Sequence, residues 1–273
     1  MAEKCLIAAS LAALVCHPSS TIKCFKPKPA PSTSPHKEKP VHKLPSKSKQ
    51  KVPSPPTIPQ TGDPFSIVSE LVDGDPSMGI VETIFRSGWS YEVSLTIEKV
   101  LKVKHSVDAL DRFEEHRERV KSKYANLRKR KPRLVADGNE VLQFHGASIT
   151  CSLGRNGCLC ICNRKCCRVC RTIASRRGSM SFHSSSWGAH EKVTTECALK
   201  GSSARKAMVI CRVIAGRIAS RQIHRFVDAE EVHFDSMVIG HQTSDSDSEE
   251  LIVLDPKAVL PCFVVIYNVH KLP

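Results

Sequence analysis

Hydrophobic positions are sparse over the first quarter of the chain and then fall into regular patterns. In MGIVETIFRSGW, residues 78–89, Ile80, Val81, Ile84 and Phe85 recur at helical spacing behind Asp75-Pro76-Ser77 and ahead of Gly88. That predicts a short amphipathic helix with a start and a stop signal. The next segment, VSLTIEKVLKV, alternates Val93, Leu95 and Ile97 and continues through Val100, Leu101 and Val103, which predicts a strand. Ser106 then caps VDALDRFEEHRERVKSKYANL, where Val107, Leu110, Phe113, Val120 and Tyr124 share one face. This helix is the clearest element in the pattern. Two short strands are expected at residues 133–135 and 140–145, and a buried strand at 207–214, apolar except for Arg212. A last strand pair is expected at 250–254 and 260–269, joined by a turn at Asp255-Pro256. Few long helices beside several short strands make an α+β fold with an antiparallel sheet.

Composition sharpens the boundaries. The chain has 273 residues, 41% of them hydrophobic, enough for one sizeable core. Its prolines crowd the N-terminal region, where KPKPAPSTSPHKEKP and PSPPTIPQTGDP contain few large apolar side chains. Such a segment cannot bury enough surface to offset ordering entropy, so residues 1–64 are expected to be a disordered basic Pro/Ser/Lys-rich tail. A short helical lead-in at 65–90 and one domain at 91–272 follow.

The formal charge of +14 suits a polyanionic partner, but ten lysines face only Glu3 and Glu38 in residues 1–60. More than half of the excess therefore sits on the tail, and any nucleic-acid contact would belong there. RKRKPR, residues 128–133, reads as a nuclear-import signal, a phosphate-contacting loop or a solvated loop. TSDSDSEE, residues 243–250, reads as an acidic surface loop open to phosphorylation. LIAASLAALV behind Lys4 resembles a signal-peptide core and is too short to span a bilayer. Thirteen cysteines, odd in number and with seven of them crowded into residues 151–170, favour a reducing compartment, nucleus or cytoplasm, with secretion or organelle import as the alternative.

The cysteine insertion at 151–170 contains GCLCICNRKCCRVC. Zinc takes four ligands in a tetrahedron, commonly as pairs two to four residues apart, and Cys162–Cys166 and Cys167–Cys170 both fit. Other pairings fit as well. The tetrad expected is Cys158, Cys162, Cys167 and Cys170; the alternative is a loop of reduced thiols, some buried as small apolar groups. Arg164, Lys165 and Arg168 would acidify a neighbouring thiol.

Three separated stretches carry a family resemblance. FHGAS (residues 144–148), KAMVICRVIAGR (206–217) and EELIVLDPKAVLPCFVVIY (249–267) resemble the His-Gly strand, central strand and Glu-bearing terminal hairpin of the poly(ADP-ribose) polymerase catalytic fold. VADGNEVLQFHGASITCSLG, the Cys-rich loop and AVLPCFVVIY are similar to a plant family that often adds a two-Cys, two-His zinc finger ahead of this domain. No such finger is present here. The resemblance implies an ADP-ribosyltransferase-like fold of split antiparallel sheets, with NAD as ligand. It implies that His145 hydrogen-bonds the adenosine-side ribose, that the Gly146 backbone holds the nicotinamide amide, and that Ser148 lines the same cleft. It further implies that Glu250, with Glu249 as the register alternative, steadies an oxocarbenium-like transition state. The stacking tyrosine of the family is missing: SMSFHSSSWGAHE, residues 179–191, offers only Phe182, Trp187 and histidines. Read alone, His145 is a hydrogen-bonded histidine closing a strand.

Three functions follow from these features. The first is a degenerate ADP-ribosyltransferase-like module that binds a nucleotide and an unidentified protein partner. The second is an active mono-ADP-ribosyltransferase, and the third a zinc-dependent nucleic-acid-binding protein.

Overall fold

A computed structural model of the chain describes residues 67–89, 93–128, 131–174, 178–199, 204–220, 233–243 and 246–271. The basic tail and the apolar run in residues 6–15 lie outside the described residues, as do Lys129 and Arg130 of the basic run and Ser244 and Asp245 of the acidic stretch. The rest is a mixed α+β fold around one large, mostly antiparallel sheet.

The chain begins with β1 (Val68–Glu70) and α1 (Pro76–Arg86). Asp75 caps α1 by accepting the Ser77 backbone N–H at 2.7 Å, and Pro76 occupies the first turn, where no donor is needed. Then come β2 (Val93–Val103) and α2 (Val107–Lys123), the latter capped by the Ser106 hydroxyl. Both match the helix and strand expected from the pattern. After α3 (Pro132–Ala136) come β3 (Glu140–Ile149), α4 (Arg168–Ile173), β4 (Met180–His183) and α5 (Ser186–Leu199). The chain closes with β5 (Arg205–Ile214), β6 (Ile218–Ser220), β7 (Ser236–Thr243), β8 (Ser246–Val253) and β9 (Val259–Lys271).

The strands form one nine-stranded sheet in the order β1-β2-β9-β5-β3-β4-β8-β7-β6, antiparallel except for the β6–β7 pair. It is one sheet rather than two, but its middle is nearly cut: β3 and β4 are joined by a single residue pair, Phe144 with His183. Both faces are covered. Leu101, Val209, Val264 and Ile266 face one layer with Phe113 and Val120 of α2 and Val169 and Ile173 of α4. The alternate residues Val100, Met208, Ile210, Phe263 and Val265 face Val81, Ile84 and Phe85 of α1. Burial on both faces explains why β5 and β9 are almost continuously apolar.

Three expectations need correction. Residues 133–135 are helical, not extended: Pro132 starts a single short helix, Leu134 is buried, and Gly138 and Asn139 then turn the chain at φ +70° and +59° into β3. The last two strands are not a hairpin. The 3-10 turn Pro256–Ala258 carries the chain away, so that β8 lies between β4 and β7 while β9 lies between β2 and β5. Residues 246–250 of the acidic stretch are strand rather than loop, pairing with β7 so that Glu250 lies opposite Ile239. The helical lead-in before residue 91 packs on the sheet, with β1 paired to β2 and α1 covering one face. Among the described residues, no helix is long and apolar enough to cross a membrane.

Candidate functional site: a cleft at the sheet seam and a cysteine cluster

Where β3 and β4 part, a cleft of about 800 Å³ opens. An antiparallel ladder would continue from the Phe144–His183 pair by backbone bonds. Instead the imidazole of His145 spans the gap, its Nδ1–H donating to the Ser181 carbonyl oxygen at 2.8 Å. A carbonyl can only accept, which fixes the tautomer and leaves Nε2 with its lone pair. Burial pushes the imidazole down to about 4, against the opposing effects of the Ser181 carbonyl and Glu250, so it is neutral near pH 7.

Each wall comes from a different element. β3 supplies His145 and Ser148, β4 supplies Met180 and Ser181, and β8 supplies Glu250 and Ile252. α5 contributes Lys192, Val193 and Glu196 on one side. The cysteine loop and α4 contribute Lys165, Arg168 and Arg171 on the other. Four cationic side chains thus face two carboxylates, Glu196 and Glu250. Arg168 is salt-bridged to Glu196, and the buried Glu250 accepts from Lys192 Nζ at 3.1 Å. Arg171 and Lys165 are solvent-exposed.

The structure therefore brings together His145, Ser148 and Glu250, which the sequence places about a hundred positions apart. Of the two glutamates, Glu249 is exposed and Glu250 lines the cleft. Gly146 is not among the residues lining the cleft, because α5 covers it. A Cβ there would meet the Ala189 carbonyl oxygen at 2.1 Å. Among the described residues lining the cleft, none carries a phenyl, phenol or indole ring. Phe182 is fully buried, with its ring 5.7 Å from that of His145. Trp187 belongs to an aromatic group of Phe85, Trp89, His190 and Tyr267 between α1, α5 and β9, where the His190 ring also bonds the Tyr267 hydroxyl at 2.9 Å. Lys192 went unanticipated because its helix did.

Beside the cleft, four cysteines converge. The sulfurs of Cys151, Cys162, Cys167 and Cys170 all lie within 4.8 Å of one another and could hold a metal ion such as zinc. Cys162, Cys167 and Cys170 are as expected from the sequence; the fourth is Cys151, not Cys158. Cys158 is held in a tight turn, its carbonyl accepting from Gly154 N–H and its own N–H donating to Arg155, which keeps it out of the cluster. Cys151 lies two residues past the end of β3, so the sheet sets its position closely. The signal was present in the sequence as a cysteine just ahead of the run, at a spacing too long for a local pair. Burial pushes the Cys151 thiol up, to about 11, and the Cys170 thiol higher. For Cys167 burial acts the same way, but hydrogen bonds from the Thr150 and Cys170 backbone outweigh it and bring the thiol down to about 7.

Comparison with models of known protein families returns no match, and no curated protein matches the sequence.

Proposed function

We propose that this chain carries an ADP-ribosyltransferase-like domain that binds an NAD-type dinucleotide at the seam of its sheet and serves as a binding or regulatory module rather than a fast transferase. The observation that carries this reading is the convergence of His145, Ser148 and Glu250 on one cleft rimmed by Lys165, Arg168, Arg171 and Lys192. A cleft of about 800 Å³ is of the size that holds a drug-sized or cofactor-sized ligand. Guanidinium and ammonium groups suit a diphosphate, while the His145 Nε2 and Ser148 hydroxyl suit ribose hydroxyls.

Two features argue for binding over turnover. No phenyl, phenol or indole ring among the described lining residues offers a platform for a nicotinamide. Glu250, the carboxylate that would steady positive charge on a ribose, is already engaged by Lys192. NAD would bring an electrophilic ribosyl carbon to the site; the chain supplies recognition groups more fully than it supplies catalysis.

Calorimetric titration of the purified full-length chain with NAD tests this. The expected result is saturable binding that weakens at least tenfold in Arg171→Ala, an exposed position, and in His145→Ala. No binding at millimolar NAD sinks the cleft assignment. Label transferred from NAD to protein, and lost in Glu250→Ala, would instead show a working mono-ADP-ribosyltransferase.

A further inference from the structure

We propose that Cys151, Cys162, Cys167 and Cys170 bind one Zn²⁺ ion as thiolates, and that this ion holds the cationic wall of the cleft in place. The clamp stands independently of what occupies the cleft. It rests first on distance. With Zn–S bonds of about 2.3 Å, the sulfurs of a tetrahedral site stand about 3.8 Å apart. Here the Cys151 sulfur is 3.6 Å from that of Cys167 and 3.7 Å from that of Cys170. All four sulfurs fall within 4.8 Å. The spacing is too wide for a disulfide and right for a shared ion.

The surroundings are those of a metal site. Four thiolates around one divalent ion leave a net negative site, and cations stand close to it. Arg205 reaches the carbonyls of Cys151 and Leu153 at 3.0 and 2.7 Å, and Arg168 follows Cys167 directly in the chain. On binding, each thiol gives its proton to solvent and its sulfur lone pair to zinc, with no change of oxidation state.

The consequence for the cleft comes from chain order. Residues 150–167 run between β3 and α4 with no helix or strand of their own. A segment of that length needs an anchor to hold one conformation. The ligand cysteines alternate with cleft residues: Lys165 lies between Cys162 and Cys167, and Arg168 and Arg171 flank Cys170. Fixing the sulfurs to the end of β3 therefore fixes the charges that face the cleft.

Elemental analysis of the full-length chain, purified under reducing conditions, should give one zinc per chain. Cys158→Ser and Cys160→Ser should retain it, and Cys167→Ser and Cys170→Ser should lose it. Should the ligand variants fail to fold, cobalt substituted into the unaltered chain decides: one equivalent should give the tetrahedral spectrum and intense sulfur-to-metal charge transfer of a thiolate site. Metal-free protein, a cobalt spectrum without sulfur ligation, or a disulfide within the tetrad overturns the site. For the clamp, chelation should speed amide exchange over residues 160–173 by about tenfold or more while β5 and β9 keep their protection. Equal exchange with and without metal overturns that half of the proposal.

Discussion

Gly146 is held to glycine by its neighbour across the sheet surface. A Cβ built there would stand 2.1 Å from the Ala189 carbonyl oxygen and 3.0 Å from the Val193 Cβ. A backbone oxygen cannot rotate away as a flexible side chain can, so Gly146→Ala must push α5 outward and carry Lys192 and Val193 with it. The expected cost is about 1–3 kcal/mol, read as a lower urea midpoint. A variant with an unchanged midpoint would mean that α5 does not lie against β3. The same scale explains Arg212, the one charge in the apolar run 207–214 of β5. It is nearly fully buried, chelates Glu140 through Nε at 2.6 Å and Nη2 at 3.1 Å, and stacks at 5.2 Å over Phe113. It joins β5 to β3 and α2, and it is not among the described residues that line the cleft.

Elements with strong local signals were legible: α1 and α2 announce themselves by cap and stripe, β2 by alternation, β5 and β9 by β-branched apolar runs. What such a run cannot say is which strands flank it. Consecutive strands usually pair, and β8 and β9 do not, because β9 fills the central slot between β2 and β5. α5 was missed because its inward residues Ala189, Val193 and Cys197, though four apart, are small and sit among serines and threonines. With it went Lys192, the partner of Glu250. His145 and Glu250 are named together from the sequence only through a resemblance that links segments far apart; no local pattern could place both on one cleft. The lead-in segment yields a prediction of its own. Val81, Ile84 and Phe85 of α1 cover Val100, Phe263 and Val265, and each such side chain contributes about 1.5–3 kcal/mol when buried. Deleting residues 67–90 removes an amount comparable with the whole stability of a domain, about 5–15 kcal/mol. The shortened chain should be insoluble or lack a cooperative melt, and a sharp melt near that of the full chain would show that the domain begins later.

At the scale of the whole molecule, the two helical layers bury histidines on both sides of the sheet, and this sets how stability responds to acid. His145 at the seam and His190 in the aromatic group are each pushed down to about 4, by burial above all, from an ordinary value of 6.5. Burial also lowers His105 and His116. Between pH 6.5 and about 4 the unfolded chain therefore binds protons that the folded chain refuses, so stability must fall as pH falls through that window. Well inside it, each histidine contributes a slope of about 1.4 kcal/mol per pH unit. The capped Asp75 acts in the same direction but only below its ordinary value of 3.8, so the two contributions separate along the pH axis. Urea midpoints should thus decline from pH 7 to pH 5, above the window in which Asp75 acts. His190→Gln, whose amide can still bond the Tyr267 and Thr194 hydroxyls, should flatten the decline by one histidine's share. Equal midpoints at the two pH values would mean that these imidazoles are open to water, and the seam with them.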